Sequence, residues 1–196
     1  MGRLLADRHG LPVLDADLYA HEALAPGSIA SRAVLERYGL PVRARHGSAE
    51  HDPLHDGTID RAALGRIVFA DAAERRWLEE LVHPLVRRRF AAELERLAAA
   101  PVVVLMVPLL FEAGLESLCS EVWLVDCETQ QQLQRLLARD DLSPKEALAR
   151  LNAQWPLARK RPLAEVLIDN RANPAGLAPQ LERALQLPAG DQGPVP

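Results

Sequence analysis

The sequence predicts an α/β fold built on a parallel sheet with helices on both of its faces. Two short runs, residues 102–107 and 121–126, are largely apolar and rich in β-branched side chains. Such runs are typical of strands that are covered on both faces, as in parallel sheets. Helix-like segments alternate with the strands, which indicates crossover connections. Ligands in such folds bind beyond the carboxyl ends of the strands, so the polar residues there are the candidates for a site.

Composition narrows the class of protein. The 196 residues carry a formal net charge of -4, which argues against a nucleic-acid partner bound through phosphate neutralisation. Cys119 and Cys127 match no zinc or redox spacing and are expected to be free thiols in a reducing cytosol. The longest apolar stretch, 102–110, is too short to cross a bilayer, and no signal-peptide core follows Met1. We therefore expect a cytoplasmic protein with no membrane partner.

Local signals set the first element boundaries. The chain opens within a helix that lacks a cap and that Gly10 is expected to end. A strand over residues 11–17 then leads into a helix expected from Asp17 to Ala25. Ser28 is expected to cap the helix that follows.

The middle of the chain is predicted to be helical. Asp60 is expected to cap one helix, and Asp71 with Glu74 resembles a capping box at the start of a long helix. Pro84 lies inside that long helix and should kink or divide it. A polar loop over residues 41–57 carries His46, His51 and His55. Solvated side chains explain these histidines better than a metal site does, and no metal ligands are predicted.

The second half continues the alternation of helices and strands. Thr129 is expected to cap a helix that runs to Arg139, and Ser143-Pro-Lys-Glu146 has the pattern of a complete capping box. A last short strand is expected over 166–169, and Asn173-Pro174 should open the final helix.

Asp15 and Asp17 end the first predicted strand. In an extended chain, positions two apart point to the same side, so both carboxylates would face one site. A carboxylate there is suited to accept a proton from a substrate hydroxyl. The pair alone favours a simpler interpretation, in which Asp17 caps the following helix.

Three further groups of residues have features of a ligand site. The segment after the second apolar run offers an apolar wall with one carboxylate, in Pro108, Leu109, Leu110, Phe111 and Glu112. His83 and Pro84 interrupt a predicted helix, which is costly unless the break is used. A simple kink explains this pair of residues nearly as well as a ligand site does. A predicted helical lid carries Arg135, Arg139, Arg150, Gln154 and the cations at 159–161. Such cations are usually a solvated face, but guanidinium groups also suit phosphate oxygens.

Taken together these segments resemble the dephospho-CoA kinase family over nearly the whole chain, from Leu4 to about Ala178. Each segment is weakly specific, and their order and spacing carry the resemblance. The segments are LDAD at 14–17, DGTIDR at 56–61 with IVF at 67–69, LVHP at 81–84, VPLLFE at 107–112, RLLARD at 135–140 with LS at 142–143, RLNAQ at 150–154, Lys160 and VLIDN at 166–170. Ala164-Glu165 stands where the family usually has Ala-Asp.

The resemblance implies a P-loop kinase that phosphorylates the ribose 3′-hydroxyl of dephospho-CoA with ATP and Mg²⁺, the last step of coenzyme A synthesis. It implies a parallel core over 1–25, 101–130 and 162–187, an acceptor-binding helical region over about 26–100, a lid over about 131–161, and a tail over 188–196. Asp17 would be the base on the ribose hydroxyl, and Asp15, His83 and 108–112 would bind the acceptor.

On the donor side the resemblance places Arg139, Gln154, Lys160 and Asn170, with Arg139 reaching the phosphates and Asn170 near the adenine. The family's phosphate loop, G-x-x-x-x-G-K-[ST], and the strand before it are missing from these residues, because no Gly-Lys pair occurs and Lys145 and Lys160 fall in the lid. We therefore expect the encoded protein to begin upstream of Met1, and the 196 residues alone to fold poorly and to be inactive.

Two other functions stay open from the sequence. One is another P-loop kinase that acts on a nucleotide or a different small molecule. The other is a catalytically inactive paralogue that binds ligands resembling coenzyme A.

Overall fold

The computed structural model describes residues 1–43, 58–139, 142–171 and 176–186. The three histidines of the predicted 41–57 loop and the predicted tail 188–196 lie outside the described residues. The chain divides into two compact units, one of Leu14–Val107 and one of Met1–Val13 with Pro108–Pro196.

Helices and strands alternate along the described chain, with short 3₁₀ turns at Leu40–Val42, Glu116–Leu118 and Arg161–Leu163. In chain order the elements are α1 (Gly2–His9), β1 (Val13–Asp15), α2 (Ala16–Ala23), α3 (Ile29–Tyr38), α4 (Arg61–Ala70), α5 (Ala72–Arg96), β2 (Val104–Met106), β3 (Trp123–Asp126), α6 (Thr129–Arg139), α7 (Pro144–Asn152), α8 (Leu157–Lys160), β4 (Val166–Asp169) and α9 (Leu177–Gln186). None of the described helices is both long and apolar enough to cross a membrane.

The unit of Leu14–Val107 is mainly helical. β1 and β2 form a two-stranded sheet, and α2 and α4 pack against α5. Phe90 of α5 is fully buried, and its ring meets the ring of Tyr19 of α2 edge to face at a centroid distance of 5.2 Å. This geometry favours contact between the positive edge of one ring and the negative face of the other.

The start of α2 differs from the prediction. β1 ends at Asp15, whose carboxylate accepts hydrogen bonds from the backbone N–H of Asp17 and Leu18 at 2.9 and 3.4 Å. Asp15 is therefore the helix cap, and Asp17 lies in the first helical turn. The expectation that Asp17 caps this helix, or shares an extended strand with Asp15, was wrong because the strand ends and the cap lies two residues earlier, at Asp15.

The capping box predicted at α5 is half formed. Asp71 accepts hydrogen bonds from Ala73 and Glu74 as expected. The Glu74 carboxylate instead accepts from Arg37 at 2.7 and 2.9 Å and from the Tyr38 hydroxyl at 2.6 Å. A long-range ion pair has therefore replaced the local bond, and it links α3 to α5.

Pro84 does not divide its helix. α5 runs without interruption from Ala72 to Arg96, with Val82, Val86 and Phe90 buried along it. Burial of these apolar side chains offsets the hydrogen bond that a proline removes from a helix interior. Of the two predicted outcomes, division of the helix at Pro84 was therefore wrong, and a kink at Pro84 stays a prediction.

The unit of Met1–Val13 with Pro108–Pro196 contains the parallel pairing that the sequence predicts. β3 and β4 are parallel, with Trp123 opposite Val166 and Asp126 opposite Asp169. α9 packs on β4, where Ile168 is 1% exposed. α1 ends as expected at Gly10, whose φ of 63° is a conformation that glycine adopts without strain.

The remaining helix starts were partly predicted. Ser143 and Glu146 form the complete capping box of α7. Thr129 is the first residue of α6 rather than its cap. The predicted start of the last helix at Asn173-Pro174 lies outside the described residues, and α9 is described from Leu177.

The Arg37–Tyr38–Glu74 cluster should make folding sensitive to acid. Hydrogen bonds from Arg37 and Tyr38 lower the pKa of Glu74 to about 2. A lowered carboxyl pKa stabilises the fold above the unfolded value, and this stabilisation is lost as the pH falls towards 2. Urea unfolding between pH 2 and 7 should therefore show a steeper loss for wild type than for Glu74→Gln. Parallel pH curves for the two proteins would contradict the role of this carboxylate.

Candidate active site

The Leu14–Val107 unit places its two predicted carboxylates at the junction of β1 and α2. Asp15 is partly buried and has one oxygen engaged in capping, whereas Asp17 is exposed in the first turn of α2. The helix N-terminus stabilises negative charge at this position. Asp17 is thus the more exposed carboxylate of the pair.

His83 lies on α5, the helix that packs against α2. Tyr19, near Asp17 on α2, packs on Phe90 of α5. His83 precedes Phe90 by about 10 Å along the α5 axis, at about 1.5 Å per residue. Burial is the main cause that lowers the pKa of His83. A neutral imidazole there can both donate and accept hydrogen bonds.

The other unit contains a buried ion pair between two predicted site residues. The Lys160 ammonium lies 2.7 Å from Oε1 of Glu112, and their side chains are 6% and 14% exposed. Lys160 also donates to the Pro108 carbonyl at 3.1 Å, and the Trp155 backbone N–H donates to Oε1 of Glu112 at 2.7 Å. The structure thus brings Pro108, Glu112 and Lys160 together, although the sequence interpretation assigned them to opposite sides of the reaction.

An aromatic wall stands next to this ion pair. The rings of Phe111 and Trp155 are parallel within 6°, with centroids 6.5 Å apart. The Arg159 guanidinium lies 3.2 Å from the centroid of the Trp155 ring, a cation–π contact. Phe111 and Trp155 line an open cavity of about 310 Å³, whose other lining residues include Val122, Leu163 and Glu165.

The carboxyl ends of β3 and β4 carry a second set of polar contacts. The Arg161 guanidinium binds both oxygens of Asp126, with nitrogen–oxygen distances of 3.0 to 3.1 Å. Asn170 follows β4, where its N–H donates to the Asp126 carbonyl and its own carbonyl accepts from Arg135 at 2.9 Å. The Asn170 backbone is therefore fixed at this edge of the sheet.

The two predicted lid residues that remain are exposed. Arg139 is the last residue of α6, and Gln154 lies just after α7. α6 and α7 pack against each other, so Arg139 ends one arm of a helical hairpin. The residues that join this hairpin at 140–141 lie outside the described part of the chain.

Comparison with known proteins identifies the family. The family model for dephospho-CoA kinase matches residues 1–175. A dephospho-CoA kinase from Synechococcus sp. (strain CC9605) is 58% identical over 95% of this chain and 86% of its own length. The corresponding protein from Prochlorococcus marinus (strain MIT 9313) is 54% identical over 92% of this chain and 86% of its own.

The chain belongs to the dephospho-CoA kinase family. This membership confirms the predicted family and the predicted enzyme class, a kinase. It also implies ATP as the phosphate donor.

Solved structures confirm the predicted α/β fold class. The Thermus thermophilus protein TT1252 is 35% identical, with a TM-score of 0.70 over 93% of this chain and 86% of its own. A dephospho-CoA kinase from Campylobacter jejuni, 24% identical, matches in fold with a TM-score of 0.62 over 93% of this chain and 87% of its own.

Sequence reasoning missed several residues around the predicted ones. Only an apolar residue and a run of cations were visible in the sequence. They did not indicate the contacts of Trp155 with Phe111 and Arg159, or the Arg161–Asp126 pair. Trp155 directly follows the family segment at 150–154, and this adjacency is the one clue that the sequence offered. Glu165, the departure from the family pattern, accepts a hydrogen bond from the Val122 N–H at 2.7 Å and so holds the start of β3.

Removing one partner of the Glu112–Lys160 pair should lower the free energy of unfolding more than removing both partners. Lys160→Met or Glu112→Gln alone leaves a buried polar group without its partner, and each should lower the free energy of unfolding by about 3–5 kcal/mol. The double variant removes both charges and should be close to wild type in stability. Urea unfolding of the four proteins measures this coupling, and additive losses would show that the two side chains act independently.

Proposed function

We propose that this protein transfers the γ-phosphoryl group of ATP to the ribose 3′-hydroxyl of dephospho-CoA and so forms coenzyme A. The observation that carries the proposal is the match to dephospho-CoA kinases along almost the entire chain, with 58% identity to one of them. The predicted site residues at 14–17, 81–84, 107–112 and 166–170 all fall within the matched range.

Asp17 is proposed as the general base. A base must lie within hydrogen-bond reach of the hydroxyl from which it takes the proton, and the exposed position of Asp17 in the first turn of α2 leaves it accessible to a substrate. Asp15 fixes this turn through its two capping bonds. We therefore assign Asp17 the proton transfer and Asp15 the orientation of the turn, while His83 and the segment 108–112 bind the acceptor.

Arg139, Gln154 and Asn170 are proposed on the donor side. Phosphoryl transfer depends on alignment and on cations that stabilise charge on the transferred group. Arg139 is exposed at the end of the α6–α7 hairpin, and it would supply such a cation when the hairpin closes. The backbone of Asn170 is held by Arg135 and Asp126, which would keep its side chain in a fixed place beside the adenine.

Mg²⁺ is proposed to enter with ATP. It keeps several waters and needs only one or two carboxylates besides the substrate phosphates. Asp15 is engaged in capping and Asp17 is assigned to proton transfer, so the ion would be held mainly by the phosphates of ATP, whose charge it would neutralise. The cytoplasmic location expected from the sequence stays a prediction.

Product analysis tests the proposal. Dephospho-CoA, AMP and shikimate are offered as acceptors with ATP and Mg²⁺, and the 3′-phosphorylated product is identified by mass spectrometry. The assay is run on the 196 residues and on a form extended by the in-frame codons upstream of Met1, because these residues contain no G-x-x-x-x-G-K-[ST] segment. Phosphorylation of AMP or shikimate in preference to dephospho-CoA would replace the proposal with another kinase. Binding of dephospho-CoA without turnover in either form would favour a non-catalytic role.

Asp17→Asn is expected to lower kcat by about 10²- to 10⁴-fold with little change in KM for dephospho-CoA, because it removes the base but keeps the shape of the side chain. Steady-state kinetics with both substrates varied measure the effect. Arg66→Gln, an exposed change on α4, is the control and should retain full activity. A kcat for Asp17→Asn within a few-fold of wild type would remove Asp17 from the base role.

Arg139→Ala is expected to lower turnover while dephospho-CoA binds nearly as tightly as before. The reason is that the guanidinium would act on the phosphates of ATP and not on the acceptor. Isothermal titration calorimetry with dephospho-CoA and initial rates at varied ATP separate the two effects. Equal losses of acceptor binding and turnover would point to a folding defect and not to phosphate stabilisation.

A further inference from the structure

One oxygen of the Glu112 carboxylate accepts hydrogen bonds, and the other accepts none from the described residues. Oε1 accepts from the Lys160 ammonium and from the Trp155 N–H, both at 2.7 Å. Oε2 is buried, and among the residues that the structure describes none donates a hydrogen bond to it. Buried carboxylate oxygens are normally hydrogen-bonded, so an open one requires an explanation.

Lys160 explains why the carboxylate keeps this orientation. Its ammonium contacts both Oε1 and the Pro108 carbonyl, so it holds the Glu112 side chain against the start of the turn at 108–114 to which Glu112 belongs. That turn is closed by its own backbone bonds, from Ala113 to Leu109 and from Leu115 to Leu110. Oε1 is therefore committed to protein partners, and Oε2, which is closed to solvent, is the oxygen that a substrate donor would satisfy once a neighbouring side chain moves aside.

We propose that Lys160 is a positioning residue that engages Oε1 of Glu112 and so leaves Oε2 to accept a hydrogen bond from an N–H or O–H group of the acceptor substrate. This inference rests on the proposed function, which supplies the acceptor. It changes the assignment of Lys160, because its buried ammonium faces a carboxylate and not the phosphates of ATP. The charge of Lys160 thus contributes to the affinity of the protein for the acceptor substrate.

Variants that keep the fold separate this role from a structural one. The double variant Lys160→Met with Glu112→Gln removes both charges together, and the amide oxygen introduced at position 112 can still accept from the Trp155 N–H. The new amide nitrogen then replaces Oε2. Because this nitrogen is a donor, it cannot accept a hydrogen bond from the donor group of the substrate. Lys160→Arg keeps the charge, but a guanidinium forks across both carboxylate oxygens and so occupies Oε2. A matched control, Arg37→Met with Glu74→Gln, removes a bidentate ion pair from the other unit.

Calorimetric titration with dephospho-CoA and with ATP tests the proposal on the extended form used for product analysis, after circular dichroism has shown that wild type and each variant are folded. The double variant and Lys160→Arg should each bind dephospho-CoA about 10- to 100-fold more weakly, the range for a lost hydrogen bond to a charged group, and should bind ATP like wild type. The control should stay within about twofold for dephospho-CoA. Wild-type affinity for dephospho-CoA in both Lys160 variants, or in Lys160→Arg alone if the double variant does not fold, would overturn the inference while the proposed function stands. Failure of wild type itself to bind dephospho-CoA would overturn the proposed function, and this inference with it.

Discussion

The arrangement around β3 and β4 depends on the need to neutralise one buried ammonium group. Lys160 has a side-chain exposure of 6%, and an unpaired ammonium in such a place would cost several kcal/mol. Glu112 supplies the anion, and the Pro108 carbonyl supplies a further acceptor. The turn at 108–114 and the helix α8 must therefore stay together. Arg161, the next residue, binds both oxygens of Asp126, so the same junction is also fixed to the carboxyl end of β3.

A different constraint separates the roles of Asp15 and Asp17. A helix N-terminus has backbone N–H groups without intrahelical partners, and a nearby carboxylate satisfies them. Asp15 does so from the end of β1 and is thereby engaged in structure. Asp17 lies one step inside the helix, where the N-terminal dipole stabilises its charge without engaging its side chain as the cap. Two carboxylates that look equivalent in sequence thus differ because one of them ends the strand.

The sequence predicted what is decided locally. The capping box of Ser143 and Glu146, the caps at Ser28 and Asp60 and the stop at Gly10 follow from residues within one turn of each other, and the structure has all of them. The same local pattern at Asp71 and Glu74 misled, because Arg37 and Tyr38 offered the Glu74 carboxylate stronger partners from another helix. The Glu112–Lys160 pair was out of reach for the same reason, since no local rule joins residues so far apart in the chain. Pro84 does not divide α5 because burial of its neighbours outweighs its local cost.

The run Arg159-Lys160-Arg161 shows why charge patterns alone assign ligands poorly. Successive residues of a helix point about 100° apart, so three consecutive cations cannot all face one ligand. Arg159 lies over the Trp155 ring, Lys160 turns inward to Glu112, and Arg161 reaches Asp126. Each of these cations has a protein partner, so none is left over as a ready phosphate clamp. The run therefore holds this unit together, while Arg139, exposed at the end of α6, stays the proposed phosphate contact.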